Sequence, residues 1–257
     1  MYSIEMNEPS EEFALCCNAA AYHLQTQTHD GLLPWLKGDL TPPILEHMSF
    51  RLGNQLFFIR VDDVDGRIEG PGNRDGFRTI ARGCNGRACL MPMRFTGESW
   101  EAAWPGWGLI DDLTGMPIDP FNLVSNQNIE MTDWEVHDFA VQIVRDHVVS
   151  DLGCQLMSSQ GNPAVNPSLW FVGETGPEWV AVRAVKFPER DAPIPSNIAA
   201  IAASCAHLST TGHFASVAVA GAEDAFDRTD DVPVLPLWRG HGIEFRFEGL
   251  AALTNTP

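Results

Sequence analysis

The feature that most constrains this chain is a short phrase that occurs twice. Residues 104–109 read Trp-Pro-Gly-Trp-Gly-Leu and residues 238–243 read Trp-Arg-Gly-His-Gly-Ile, so both follow the pattern Trp-x-Gly-x-Gly-apolar. Further landmarks precede each copy in the same order: a helical pattern, a hairpin led by Phe50 in one copy and by Phe171 in the other, an Arg inside an apolar strand, a helix start and an apolar strand. Self-similarity of this length predicts a tandem duplication in which each copy is a supersecondary block.

Local patterns assign helices and strands to each copy. Ser10 is a helix cap before an apolar stripe at helical spacing, and residues 132–135 read Thr-Asp-Trp-Glu, a capping box that opens the equivalent helix. In the second copy, strands are predicted near 154–158, 169–172, 179–187, 214–220 and 243–247, with a helix from Asn197. The sequence therefore predicts an α+β protein made of two tandem duplicated α-β-β-(β)-α-β modules with mixed sheets, at residues 1–126 and 127–257.

Charge and composition narrow the classes of partner. The formal net charge is −18, and the 257 residues contain 16 Lys and Arg against 34 Asp and Glu. Binding to nucleic acid normally requires clustered Lys and Arg, so a nucleic-acid partner is not expected, whereas an acidic surface favours basic partners. The first residues resemble no signal peptide and no stretch is apolar enough to span a membrane, so we expect a cytoplasmic protein with reduced cysteines and no membrane partner.

The order helix, three strands, helix, strand in each half resembles the core of the restriction-endonuclease-like phosphodiesterases. That resemblance implies a divalent metal held by an acid on the second strand and by an acid-x-Lys pair on the third. The corresponding pairs here are Phe58 with Arg60 and Ala181 with Arg183, so the resemblance implies a degenerate site, and we expect no metal or other cofactor. The topology and the low pI of about 4.6 also resemble the acidic secretion-chaperone fold, whose members bind client proteins without catalysis.

Two arginines stand inside apolar strands at matching places. Arg60 follows residues 56–59, Leu-Phe-Phe-Ile, and Arg183 follows residues 179–182, Trp-Val-Ala-Val. A charge inside such a strand is costly unless it is paired. The functional interpretation is a contact to an anion or carboxylate in a cleft of each module. The structural interpretation is an ion pair with an acid on a neighbouring element.

The repeated phrase offers a second set of candidates. Two glycines in a strand indicate a bulge or a close approach of backbone, and aromatic and Arg side chains are typical of interface hot spots. Under this interpretation a pocket or partner surface is bordered by Trp104, Trp107, Trp238, Arg239 and His241. The alternative is that the glycines permit close packing of the modules and the tryptophans fill the core.

No arrangement of residues predicts catalysis. The chain contains no Gly-x-Ser-x-Gly motif, and its Cys and His residues do not show the spacing of a zinc site. The sequence therefore favours a non-catalytic binding protein whose partner is another protein, such as an inhibitor, an immunity protein or a chaperone. A weak metal-dependent phosphodiesterase and a small-anion sensor that uses Arg60 and Arg183 are the alternatives. The oligomeric state is not determined by the sequence.

Overall fold

A computed structural model of the protein describes residues 10–28, 31–38, 47–222, 226 and 235–253. The chain divides into two compact units, Met1–Ile129 and Glu130–Pro257. The first nine residues, on which the signal-peptide expectation depends, lie outside the described part.

The first unit is a mixed sheet with a helix on each face. Its elements are α1 (Glu11–Thr26), β1 (Trp35–Lys37), β2 (Met48–Leu52), β3 (Gln55–Asp63), α2 (Arg74–Gly83), β4 (Arg87–Phe95), β5 (Trp100–Ala102) and β6 (Ile110–Asp111). The strand order is β1-β2-β3-β4-β5, and β6 also pairs with β4. Among the described strands of this unit, only β3 and β4 are parallel, because α2 carries the chain back across the sheet between them.

Local chemistry starts α1 and sets the face that it buries. Ser10 Oγ accepts a hydrogen bond from Phe13 N at 3.2 Å, which confirms the predicted cap. The predicted apolar stripe is also confirmed, since its four members are buried: Phe13, Cys17, Ala20 and Leu24. They pack against side chains of β3 such as Phe57, Ile59 and Val61. The opposite face of the sheet carries Phe58, which contacts His47, and His47 contacts Phe77 of α2.

The second unit contains the same order of elements. They are α3 (Asp133–Asp146), β7 (Gln155–Ser159), β8 (Leu169–Gly173), β9 (Gly176–Lys186), α4 (Ile198–Cys205), β10 (Gly212–Gly221), β11 (Ile243–Phe247) and β12 (Ala251–Ala252). The strand order is β11-β10-β9-β8-β7, β12 also pairs with β10, and the parallel pair is β9 with β10. The structure thus shows an α+β fold with two similar mixed-sheet modules.

Thr132 opens α3 as the sequence predicts. Its Oγ1 accepts from Glu135 N at 3.1 Å, as in a capping box. The Glu135 carboxylate also binds the guanidinium of Arg239, at 2.9 Å from Nε. Val136 and Ala140 of α3 pack on Val180 and the neighbouring apolar side chains of the second sheet.

The equivalent hairpins differ in length, which corrects one landmark. Phe50 pairs with Phe57 in the first unit, and Leu169 pairs with Val180 in the second. Phe57 precedes Arg60 by three residues, and Val180 likewise precedes Arg183. Phe50 is therefore level with Leu169, whereas the order of landmarks in the sequence matched it with Phe171. The hairpin of the second unit therefore extends two residues further on each strand.

The repeated phrase does not form strands, and this prediction was wrong. Residues 103–107 form bends and turns between β5 and β6, whereas residues 239–241 form a turn before β11. The pairing makes β5 and β11 counterparts, because both lie against the end of the central parallel strand, at Phe95 and Gly221 respectively. The two copies of the phrase consequently occupy different places in the two modules. The similarity of the modules rests on strand order and pairing instead.

Candidate functional site

The first unit contains an open groove of about 480 Å³ between α1 and the segment that begins with β5. One wall comes from α1 and the other from β5 and the start of the repeated phrase; the lining residues are Ala19, Tyr22, His23, Thr26, Trp100, Glu101, Ala102, Ala103, Trp104 and Pro105. Tyr22 is 74% exposed and Trp104 is 47% exposed, so both rings are available to a ligand. The small side chains between them leave room for an apolar chain.

The turn that carries Trp104 is held to the protein from two sides. His23 Nε2 donates a hydrogen bond to Gly106 O at 2.8 Å, and Gly106 has φ +66°, a conformation that favours glycine. Trp107 lies beneath the turn, 7% exposed, with its ring stacked 6.1 Å from that of Phe50. Within one phrase, therefore, Trp107 anchors the turn in the core and Trp104 is left at the surface.

One wall of the groove is the edge strand β5. Ala103 N donates to Pro92 O at 2.8 Å and Thr96 N donates to Ser99 O at 2.9 Å, which fixes the register of hydrogen bonds along the β4–β5 ladder. Hydrogen-bonded and non-hydrogen-bonded pairs alternate in an antiparallel ladder, so the backbone N–H and C=O of Trp100 and Ala102 point away from β4. An edge of this kind is a template for an added strand.

The second copy of the phrase is arranged differently. Trp238 is half-buried and forms a bridge with Glu130, while His241 is exposed. Arg239 is 3% exposed, and its Nη2 lies 2.9 Å from Glu135 Oε2. Burial and this ion pair give Arg239 a structural role, so the structure does not bring the five phrase residues to one surface.

The guanidinium of Arg60 binds three groups of its own unit. Its Nε donates to Asp62 Oδ1 at 3.1 Å, and its Nη1 donates to Pro71 O at 3.2 Å and Gly72 O at 3.3 Å. The guanidinium therefore ties β3 to the loop before α2. This geometry favours the structural interpretation for Arg60.

Arg183 has different partners at the equivalent place. Its Nη2 donates to Asn166 Oδ1 at 3.0 Å and its Nη1 donates to Val182 O at 2.6 Å. Among the residues that the structure describes, no carboxylate lies within 4.0 Å of this guanidinium. Burial lowers the pKa of Arg183, and burial together with the charge of Arg183 lowers the pKa of His137 to about 4. His137 is therefore neutral at pH 7.

The cysteines and acids form no recognisable reactive or metal-binding cluster in the described part of the chain. Phe58 and Ala181, at the positions where the endonuclease-like resemblance requires acids, are buried. Within the described ranges, no group of three or more His, Cys, Asp and Glu side chains could hold a metal ion. None of the six cysteines forms a disulfide, and burial raises the pKa of the Cys16 and Cys17 thiols to about 12. Of the helices in the described ranges, none combines the length and apolar character needed to cross a bilayer.

Sequence reasoning identified Trp104 but not the groove around it. The missed residues are Tyr22, Trp100 and Glu101. One signal was present: Tyr22 lies outside the apolar stripe of α1, and the chain has only two tyrosines. An aromatic ring on the polar side of an amphipathic helix indicates a contact surface, although the wall facing it could not be assigned without the fold.

Comparison with known proteins gives one match. The family described as "Domain of unknown function (DUF8840)" matches residues 134–253, a range that lies within the second unit. No curated protein and no solved structure matches the chain.

Proposed function

We propose that this protein binds another protein, and that the groove of the first unit receives an extended, basic segment of that partner. The observation that carries this proposal is the placement of two exposed aromatic rings, Tyr22 and Trp104, on opposite walls of a groove. The groove is bordered by the outer edge of β5, which pairs with no strand of the described residues. The function that we propose involves no catalysis, because binding requires only the groove, the strand edge and their charge.

The apolar part of the groove supports affinity for a side chain or a short apolar run. Aromatic side chains are enriched at the energetic centres of interfaces, since they bury large areas with few rotatable bonds. Ala19, Ala102 and Ala103 lie between the rings and add apolar surface without filling the space. A partner side chain placed there would be enclosed by Tyr22 on one side and Trp104 on the other.

The edge of β5 supports an extended conformation of the bound segment. A peptide that adds a strand to a sheet gains affinity from main-chain hydrogen bonds and specificity from pockets for alternate side chains. The outward N–H and C=O groups of Trp100 and Ala102 supply such bonds beside the groove. The short β5 limits the added strand to a few residues, so the aromatic contacts must contribute the remaining affinity.

Charge supports a basic partner. Glu101 lies in the groove wall and is exposed, and the chain as a whole carries a net charge of −18. Complementary charge raises association rates and selects among partners more than it raises affinity. We therefore expect binding that weakens as salt rises. The sequence predicts a cytoplasmic location for this protein, so we expect its partner in the cytoplasm as well. Subcellular fractionation checks that expectation.

The test begins with affinity capture by the tagged full-length protein at physiological salt, followed by mass spectrometry. The compared proteins are wild type, Trp104→Ala, and the control Phe245→Ala, which removes another exposed aromatic ring, 52% exposed, from the second unit. We expect a stoichiometric basic protein in the wild-type and Phe245→Ala samples that is lost with Trp104→Ala. Equal capture by wild type and Trp104→Ala would contradict the proposal.

A second variant tests the strand edge directly. Ala102→Pro removes the outward N–H of residue 102, whereas the hydrogen bonds of β5 to β4 come from its neighbours Glu101 and Ala103. We expect Ala102→Pro to fold and to bind the captured partner's segment at least about tenfold more weakly, which corresponds to one lost hydrogen bond. Unchanged affinity would exclude strand addition. Magnesium-dependent cleavage of nucleic acid that depends on Arg183 would instead favour the phosphodiesterase alternative.

A further inference from the structure

The two strand arginines occupy equivalent positions in the two modules but differ in what surrounds them. Arg60 is paired in register with Leu90 of β4, and Arg183 is paired in register with Ser216 of β10. On the other side, Arg183 contacts Asn166, which lies three residues before the first residue of β8. The second unit thus carries a polar row of Asn166, Arg183 and Ser216 across its sheet.

In the first unit an internal carboxylate completes the arginine site. Asp62 lies two residues after Arg60 on the same strand, so both side chains point to the same face, and Asp62 Oδ1 accepts from Arg60 Nε. The loop carbonyls of Pro71 and Gly72 accept from Nη1. A carboxylate oxygen and two carbonyl oxygens therefore surround this guanidinium.

In the second unit the position of Asp62 is taken by Val185. Val185 lies two residues after Arg183 on β9 and has no charge. Two of the five guanidinium N–H groups have acceptors among the described residues, and both acceptors are neutral oxygens. Glu189 and Asp191 follow in the chain, and no ion pair joins either of them to Arg183. Among the described residues, therefore, no carboxylate pairs with this half-buried cation as Asp62 pairs with Arg60.

The helix α4, which covers this face of the sheet, adds no negative charge to this place. Trp179 and Ala181 share a face with Arg183 and pack against Ile201 and Cys205 of α4. The chain runs along β9 and returns through α4, so the earlier turn of α4 lies toward Arg183, and that turn contains no acid. Ser216 Oγ accepts from Ala192 N at 2.7 Å, which holds the loop before α4 beside the polar row.

We infer that Arg183, with Asn166 and Ser216 beside it, binds the carboxylate group of a small molecule. The first unit shows the arrangement that such a ligand would complete, with its carboxylate in the place that Asp62 holds beside Arg60. The ligand accepts hydrogen bonds from guanidinium N–H groups, and the Ser216 hydroxyl lies within the same row. This site is distinct from the groove of the first unit and does not depend on the protein-binding proposal.

The test uses acetate as the probe and the full-length protein at pH 7. Thermal unfolding is measured in sodium acetate and in sodium chloride at equal ionic strength, because a ligand that binds only the native state raises the Tm with the logarithm of its concentration above the Kd. We expect acetate, but not chloride, to raise the Tm of the wild-type protein. No difference between the two salts, or a shift with phosphate and none with acetate, would overturn the inference.

Matched variants locate the effect. Val185→Asp supplies the missing carboxylate within the chain, so we expect the Kd for acetate, fitted from the dependence of the Tm on acetate concentration, to rise at least about tenfold. Val185→Asn has nearly the same shape without the charge and should retain the acetate response. Asp62→Asn removes the carboxylate of the first unit and should add a second acetate response at Arg60. A response that persists unchanged in Val185→Asp and in Arg183→Gln belongs elsewhere and overturns the assignment.

Discussion

The ion pair between Arg239 and Glu135 gives a sharp prediction about the repeated phrase. The side chains are 1% and 11% exposed, and Arg239 Nε lies 3.1 and 2.9 Å from the two carboxylate oxygens. Removing one partner of a buried pair leaves an uncompensated charge, which costs about 3–5 kcal/mol. We therefore expect Arg239→Met to lower the free energy of unfolding by that amount, a large part of the roughly 5–15 kcal/mol of a typical domain.

The double variant Glu135→Leu with Arg239→Met separates pairing from shape. It removes both charges and keeps apolar volume, so we expect most of the loss to be recovered, to within about 1–2 kcal/mol of wild type. Urea denaturation of the full-length protein, followed by circular dichroism, measures each value. The control is Arg246→Met, which removes a surface pair with Glu248 and should cost less than about 1 kcal/mol.

A cost below about 1 kcal/mol for Arg239→Met would refute this reasoning, and so would a double variant as unstable as the single one. The first result would mean that Arg239 is solvated in solution and is free to contact a partner. The second would mean that packing around the guanidinium stem, and not charge pairing, holds the turn before β11 to α3.

Three further predictions concern stability and reactivity. The pKa of the His137 imidazole is about 6.5 in the unfolded state and about 4 in the folded state, so the unfolded state binds the proton first as pH falls. The contribution of His137 to the free energy of unfolding should therefore be full above about pH 6.5 and decline toward pH 4 by at most about 1.4 kcal/mol per pH unit. Urea titrations of His137→Gln should lack this component of the pH dependence. Arg60→Met should lower the free energy of unfolding by about 1–3 kcal/mol, because Asp62 and two loop carbonyls lose their hydrogen-bond donor. Arg183→Met should lower it by less than about 1 kcal/mol or should raise it, and urea titrations of the two variants side by side measure both values. Native protein should react with one equivalent of a thiol reagent, at Cys154, the one cysteine that is not buried, and Cys154→Ser should abolish that fast reaction.

Local patterns in the sequence predicted the elements well. β11 begins and ends where the apolar run at 243–247 does, and Asn197 directly precedes α4. Caps and hydrophobic periodicity act over a few residues, so they can be identified without the fold. The contrast between Arg60 and Arg183 was also present in the sequence, in Asp62 against Val185. This contrast could be interpreted only once the strand register showed that Asp62 lies on the same face of its sheet as Arg60, and Val185 on the same face as Arg183.

The repeated phrase shows the limit of sequence similarity within one chain. The phrase led to the correct order of helices and strands within each module, yet its two copies lie at different places in the modules. Of its five candidate side chains, only those of Trp104 and His241 are exposed. Whether an aromatic or Arg side chain is buried depends on what packs over it. Trp107 lies under a turn held by His23, and Arg239 faces Glu135, 104 residues away in the chain.

The sequence by itself determined the acidic charge, the α+β class, the order of helices and strands and most of the helix starts, because composition and local periodicity act within a few residues. Tertiary structure alone decided which of two similar arginines is neutralised and which tryptophan reaches the surface. It also decided that Tyr22 of α1 and Trp104 after β5 share one groove. These outcomes depend on contacts between residues far apart in the chain, whose pairing is set by packing of the whole unit and not by any local pattern.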